Sequence, residues 1–332
     1  MTAVGAACYA RTGVVSACDA VPSPLMTSAT PRPVRVGRAD VHAHHGEILQ
    51  GVFSVRQGPL EHGLVTLPCR LFLTRARFRP LPSGPLTVEP HDRFRAIAAA
   101  RRALDALGLA TWGGSLRLDS TVPLCWGCGS STTDVLATIR AVADAFGAVL
   151  DPEWIASLCV AAESASDSLM YGPDRAVLFA QRRGSVLVDL DGPLPPALVL
   201  GFNAEGDCGV ETLALPPMPY TSWEIEAFRP MLGLLRRAVR QQDPVLLGRV
   251  ATASTIITQR HRPKRLMPQL LHIASRVGAL GVQVAHSGTV AGFLFEPDAA
   301  GAQLDQARAG LAALGLQRSW TFATDGQTQG QP

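Results

Sequence analysis

Pro123-Leu124-Cys125-Trp126-Gly127-Cys128-Gly129-Ser130-Ser131-Thr132-Thr133-Asp134 runs directly into Val135-Leu136-Ala137-Thr138-Ile139-Arg140-Ala141-Val142, a segment with the apolar spacing of a helix. Just upstream, Ser115 to Pro123 alternates apolar and polar residues as a strand does. Strand, glycine loop, helix is the local order. Glycines let a backbone approach a ligand and turn with positive φ. Hydroxyl residues cap a helix start, and the free N–H groups there, with the positive end of the helix dipole, attract phosphate. The stretch reads as a phosphate-cradling loop.

Cys125-x-x-Cys128 inside it invites a zinc or redox reading. Structural zinc wants a second ligand pair at similar spacing, and Cys69, Cys159 and Cys208 are isolated. A redox dithiol opens a helix after a strand, whereas Cys128 sits between two glycines. Small side chains filling loop positions is the favoured reading. Seven cysteines in a long chain do not form a disulfide framework.

With 332 residues, 47% hydrophobic and 17% charged, the chain supports a substantial core in two lobes. Its 30 Lys and Arg against 27 Asp and Glu are scattered, which argues against a nucleic-acid partner and suits a small anionic ligand. No apolar run approaches the roughly 18 residues of a spanning helix, so no membrane partner is expected. Met1 to Ala20 lacks the basic start and apolar block of a secretory signal, and the cytoplasm is the expected location.

In chain order, residues 1–36 read as a disordered extension. Val41 to Val55 carries His42, His44, His45, Gly46 and Glu47, read as a turn lining a ligand pocket, a metal cluster or a solvated turn, running into a strand. Strands follow at Gly63 to Thr74, Arg75 to Arg79 and Leu86 to Val88. A helix from Arg93 to Leu107 puts Phe94, Ile97, Leu104 and Leu107 on one face. Asp151-Pro152 starts another. It leads to Glu163-Ser164-Ala165-Ser166-Asp167-Ser168, either a site edge or a solvated turn. Short strands at 176–179, 185–189 and 197–202 precede helices at 223–239, 244–258 and 268–277. Gln259 to Arg265 reads as a solvated basic face or an anion-facing loop. Gly281 to Phe295 is strand, small-residue turn, strand, with a last helix at 300–314 and a last strand at 319–322.

Three separated motifs resemble the GHMP kinase superfamily in the correct order. Its phosphate loop, Pro-x-x-x-Gly-Leu-Gly-Ser-Ser-Ala, is similar to Pro123-x-x-x-Gly127-Cys128-Gly129-Ser130-Ser131-Thr132. Gly46-Glu47-Ile48-Leu49-Gln50-Gly51 resembles the first motif of the L-threonine kinase branch associated with cobalamin synthesis. Asp167-Ser168-Leu169-Met170-Tyr171, Thr258-Gln259 and Pro263-Lys264 resemble further segments of it. Ala285-His286-Ser287-Gly288-Thr289-Val290-Ala291-Gly292 resembles its third motif. The departures are His44-His45, where relatives tend to have Thr-Cys or Phe, the loop residues Cys125, Trp126 and Cys128, Thr258 for an asparagine, and one extra residue between Glu163 and Asp167.

The resemblance implies a two-lobed α+β GHMP kinase fold, with a ribosomal-protein-S5-like N-terminal lobe over 37–215, a ferredoxin-like C-terminal lobe over 216–323 and a disordered tail over 324–332. It implies ATP, held by Pro123, Gly127, Cys128, Gly129, Ser130, Ser131 and Thr132. It also implies Mg²⁺ on Ser131, Glu163 and Asp167. Asp167 is the candidate base, beside catalytic Ser131 and Glu163. His44, His45, Glu47, His286, Ser287 and Gly288 are the candidate substrate residues. The expected reaction is phosphorylation of the side-chain hydroxyl of L-threonine or a related β-hydroxy amino acid. The alternatives are homoserine or another hydroxylated amino acid, or a non-catalytic nucleotide-binding regulator. A homodimer is the expected assembly.

Overall fold

The alternation read after Val41 and Gly63 becomes two long antiparallel strands, β1 (Gly37–Ser54) and β2 (Leu60–Leu81). They lie at the centre of a computed structural model that describes residues 34–54, 58–206 and 218–325. The histidines read as a turn are part of β1. The strand accommodates them by slipping register between His42 and Ala43 and twice more around Glu47, where Gly46 takes a φ of 68°. At the first slip His42 stands opposite Leu73 and Ala43 opposite Cys69, so three residues of β2, Arg70 to Phe72, bulge from the ladder.

The remaining elements are β3 (Leu86–Glu89), α1 (Phe94–Ala106), β4 (Gly113–Ser120), α2 (Ser130–Ala145), α3 (Pro152–Glu163), a 3₁₀ turn (Leu169–Tyr171), β5 (Val177–Ala180), β6 (Ser185–Asp189), β7 (Leu198–Asn203), α4 (Ser222–Gln241), α5 (Pro244–Gln259), α6 (Met267–Arg276), β8 (Gly281–Val284), β9 (Val290–Phe295), α7 (Gly301–Ala313) and β10 (Ser319–Ala323). One sheet runs β10-β7-β9-β8-β1-β2-β4-β3, with β5 on β2 and β6 on β5. Only β3 and β4 pair in parallel among the described strands. The seam between β1 and β8 is a single pair, Glu47 with Val284.

Three apolar clusters fill the spaces between sheet and helices. Ile48, Leu49 and Phe53 of β1 meet Phe228 and Leu235 of α4 and Leu247 and Val250 of α5. Phe78 of β2 packs with α1, α2 and α3, and Phe293 of β9 with α6 and α7. α1 corrects the sequence reading of its face. It buries Ala96, Ala99, Ala100, Ala103 and Leu104, while Phe94 is 72% exposed. Alanines let α1 come close to α2, and Phe94 stands at the helix's first residue, beyond that contact.

The expected lobe boundary at 215/216 and residues 1–33 of the expected extension lie outside the described residues. Residues 34–36 already belong to the fold, since Arg35 N donates to Ala145 O. Thr324, assigned to the tail, exchanges hydrogen bonds with Ala197, while 326–332 lie outside the described residues. Among the described residues, no helix is long and apolar enough to cross a membrane.

Candidate active site

α2 begins without a side-chain cap. Its N-cap is Gly129 at φ 75°, a left-handed conformation that glycine adopts without strain. The hydroxyls that the sequence offered as caps point elsewhere. Ser131 Oγ donates to Glu163 Oε2 (2.6 Å), and Thr132 Oγ1 lies 3.0 Å from Glu163 Oε1 and 3.3 Å from Asp167 Oδ2. The first-turn N–H groups and the positive helix end are thereby left for an anion. Arg95 of α1 adds a cation, its Nη1 donating to Ser131 Oγ (3.0 Å).

Cys125, Gly127 and Gly129 to Thr132 of the loop line a cleft of about 480 Å³ together with Glu163, Asp167, Arg95, Gln181, His44, Glu47, His286 and Ser287. Asp167 is held on both oxygens. Gln181 Nε2 donates to Oδ1 (2.7 Å), and His44 Nε2 lies 3.0 Å from Oδ2. Burial opposes charge on both partners, but the pairing outweighs it. The His44 pKa rises to about 9, and Asp167 falls below its ordinary value through His44, Gln181 and Thr132. Burial raises Glu47 to about 8 and Glu163 to about 7, the latter against the bonds from Ser131 and Thr132. His44 Nδ1 and Glu47 Oε2 are buried with no hydrogen-bond partner among the described residues.

The third motif is clamped to the phosphate loop. Thr289 N and Val290 N both donate to Trp126 O (2.9 and 3.0 Å). Trp126 stacks on Trp320 at 5.7 Å between ring centroids. From the basic cluster, Lys264 Nζ donates to Gly288 O (2.7 Å) and Arg262 Nη1 to His286 O (3.0 Å), so these two cations anchor the motif's backbone. A Cβ at Gly288 would stand 2.1 Å from Trp126 O. Gly288→Ala is therefore expected to destabilise the fold by about 1–3 kcal/mol. It should also lower turnover by about 100-fold through misplacement of the loop. A melting curve and kcat/KM within error of the parent would remove the clamp from the site.

His286 Nδ1 donates to Gln50 Oε1 (2.8 Å), which leaves Nε2 as an acceptor, and burial and Arg262 lower its pKa to about 3. The ring is neutral across the working range. His45 is not brought to the cleft. Gln283 Nε2 donates to its Nδ1, its ring packs against Trp320 and Phe322, and burial lowers its pKa to about 3. It faces the opposite side of β1 from His44. Pro123, Cys128 and Gly288 are not among the residues that line the cleft. Cys125 is exposed and lines it, whereas Cys128 is buried in the core. His42 is exposed, outside the trio His44, Glu47 and Asp167, whose nearest ligand atoms lie within 4.8 Å of one another. His44 Nε2 already serves Asp167 there.

Sequence reasoning missed Arg95 and Gln181. A cation in the first turn of a helix opposes the dipole, and that was the one available signal for Arg95. Gln181, just past β5, carried none.

Residues 94–180 match the GHMP kinases N terminal domain. The L-threonine kinase of Salmonella typhimurium is 29% identical over 192 residues, and that of Citrobacter freundii 30% identical over 183. These matches take in 56% and 54% of this chain and 62% of each relative's length. In fold, the chain is similar to a homoserine kinase from Cytophaga hutchinsonii, with a TM-score of 0.65, 16% identity, and coverage of 92% of this chain and 99% of that one. L. major mevalonate kinase gives 0.60 and 18%, covering 89% and 98%. A glycine loop that opens α2 uncapped above paired carboxylates lies within residues 94–180, the part of the chain that matches the GHMP kinases N terminal domain.

Proposed function

We propose that this chain is an ATP-dependent kinase that transfers a phosphoryl group to the side-chain hydroxyl of L-threonine or a related β-hydroxy amino acid. The observation that carries the reading is the uncapped start of α2 facing Ser131, Glu163 and Asp167 in one cleft. The two L-threonine kinases among the relatives favour the substrate class.

Phosphoryl transfer asks mainly for positioning and for neutralisation of spread negative charge. The N–H groups from Gly127 to Ser131 would hold the ATP phosphates. Ser131 Oγ, the Glu163 carboxylate and, beside them, Asp167 form an all-oxygen donor set that suits Mg²⁺. When bound, that ion supplies charge neutralisation at the β- and γ-phosphates. Asp167, pinned by Gln181 and His44, orients the acceptor hydroxyl and takes its proton. A carboxylate of low basicity serves because the proton leaves late in a loose transition state. Glu47 and the His286 Nε2 acceptor face the substrate's ammonium and hydroxyl.

A second reading of the same reaction takes homoserine or another hydroxylated amino acid as acceptor, because His44, one of the departures from the motif of relatives, lines the cleft. ADP release with Mg²⁺, ATP and L-threonine, L-serine or L-homoserine tests both. L-threonine is expected to give the highest kcat/KM. A preference for L-homoserine selects the second reading, and ADP with no member of the panel sinks the kinase in favour of a nucleotide-binding regulator.

Arg95→Ala is expected to raise KM for ATP about 10-fold or more, through the loss of a charge-assisted contact to the phosphates, with a smaller change in the acceptor KM. An unchanged ATP KM removes Arg95 from the phosphate site.

A further inference from the structure

α2 is buried on nearly every face, and its charged side chains are answered by opposite charge with one exception. Asp134 lies 3.3 Å from Arg93 and accepts from Thr74 Oγ1 (3.0 Å). Asp144 pairs with Arg35 and accepts from Arg38 N (2.9 Å). Arg140, mostly buried, has no carboxylate partner among the described residues. Its Nη2 donates to the Met170 carbonyl (3.1 Å), and burial lowers its pKa. A cation largely withdrawn from water without a counter-charge is costly to fold around.

Arg140 opens onto a cavity of about 350 Å³ that shares no lining residue with the catalytic cleft. Arg70 lines the same cavity, also without a carboxylate partner among the described residues. The third arginine there, Arg175, is taken by Asp189 (2.8 Å) and Glu153 (3.4 Å). Asp40, the acidic side chain of the lining, lies 3.6 Å from Arg75. Val41, Val177 and Leu194 give the cavity an apolar wall. Two unanswered guanidinium groups beside apolar surface match a carboxylate or phosphate carried on a small organic body.

We propose that this second cavity binds a small organic anion, a carboxylate or a phosphate ester, through Arg140 and Arg70. Ser168 lies on its wall, one residue from Asp167, and its Oγ is 2.8 Å from Thr66 Oγ1. An occupant would thus touch the segment that carries Asp167. The inference does not depend on the kinase reading, because its test uses no catalysis.

The test is thermal unfolding of the full chain at constant ionic strength, titrated with O-phospho-L-serine, succinate or inorganic phosphate. A non-hydrolysable ATP analogue and Mg²⁺ are present throughout to occupy the cleft. At least one organic anion is expected to raise the melting temperature by about 3 °C or more at saturation. In Arg140→Met and Arg70→Ala the concentration giving half of that rise should increase at least about tenfold, since each removes a charge-assisted contact. An Arg140→Met variant that melts lower but keeps the anion's increment and its half-point would make Arg140 purely structural and overturn the proposal. Should Arg140→Met fail to fold, the exposed Arg70 decides alone. No rise with any organic anion, or a rise that survives Arg70→Ala undiminished, overturns the proposal. A response to inorganic phosphate alone also overturns it, because the apolar wall then has no occupant.

Discussion

Asp167→Asn is expected to lower kcat by about 10²–10⁴-fold, the range associated with loss of a positioned proton acceptor. KM for ATP should stay within about threefold of the parent, because the proposed phosphate contacts belong to the glycine loop and Arg95. Asparagine keeps the shape of the side chain but removes its charge. His44 then loses the anion that holds its pKa near 9, and burial alone drives it down. The variant therefore changes two groups together. His44→Asn separates them, since it keeps the Asp167 carboxyl in place with Gln181 still on Oδ1. If His44 serves to position Asp167, His44→Asn should lower kcat by less than Asp167→Asn, and the double variant should be no worse than Asp167→Asn alone. Near-parental turnover in Asp167→Asn would remove the residue from the chemistry.

The second large effect concerns Ser131 and Glu163, joined by a 2.6 Å hydrogen bond at the mouth of α2. Ser131→Ala and Glu163→Gln should each reduce kcat/KM by about 10²–10³-fold, the scale seen when one preorganised electrostatic contact to a transition state is lost. Both should raise the Mg²⁺ concentration needed for half-maximal rate. Because the two residues form one oxygen set, their effects should overlap, so that the double variant falls well short of the product of the singles. Full additivity, or an unaltered Mg²⁺ requirement, would show that they act apart. Glu163→Gln also keeps a hydrogen-bonding group beside Ser131 and Thr132, which limits its effect on folding.

Local chemistry was legible in the sequence because it is local. The glycine loop and its helix are contiguous and their residue types read as a phosphate cradle, whereas Glu163–Asp167 reads equally as a site edge or a solvated turn until the fold brings both carboxylates to the cleft. What escaped is geometry made across the sheet. His44 and His45 are adjacent in sequence with identical composition, yet on a strand they face opposite sides, so one meets Asp167 and the other Trp320. Register slips flank the pair on both sides, between His42 and Ala43 and again around Glu47, and they involve residues of the partner strand far away in sequence. Likewise the basic run Arg260 to Arg265 reads as solvated charge until the fold brings Arg262 and Lys264 under the carbonyls of His286 and Gly288. The alanine face of α1 carried little hydrophobic signal because its value lies in closeness rather than area.

The single-pair seam between β1 and β8 has a consequence for how the chain reaches its native state. Glu47 and Val284, and the Gln50–His286 bond beside them, join segments 236 residues apart in the latter case. Such distant contacts form late, after the chain between them has already ordered. The phosphate loop and α2 can organise early with their own neighbours, whereas the third motif reaches Trp126 only when the seam closes. Competence to bind nucleotide should therefore appear in the last phase of refolding, behind recovery of helical signal, making a fluorescent ATP analogue a reporter of the final docking step.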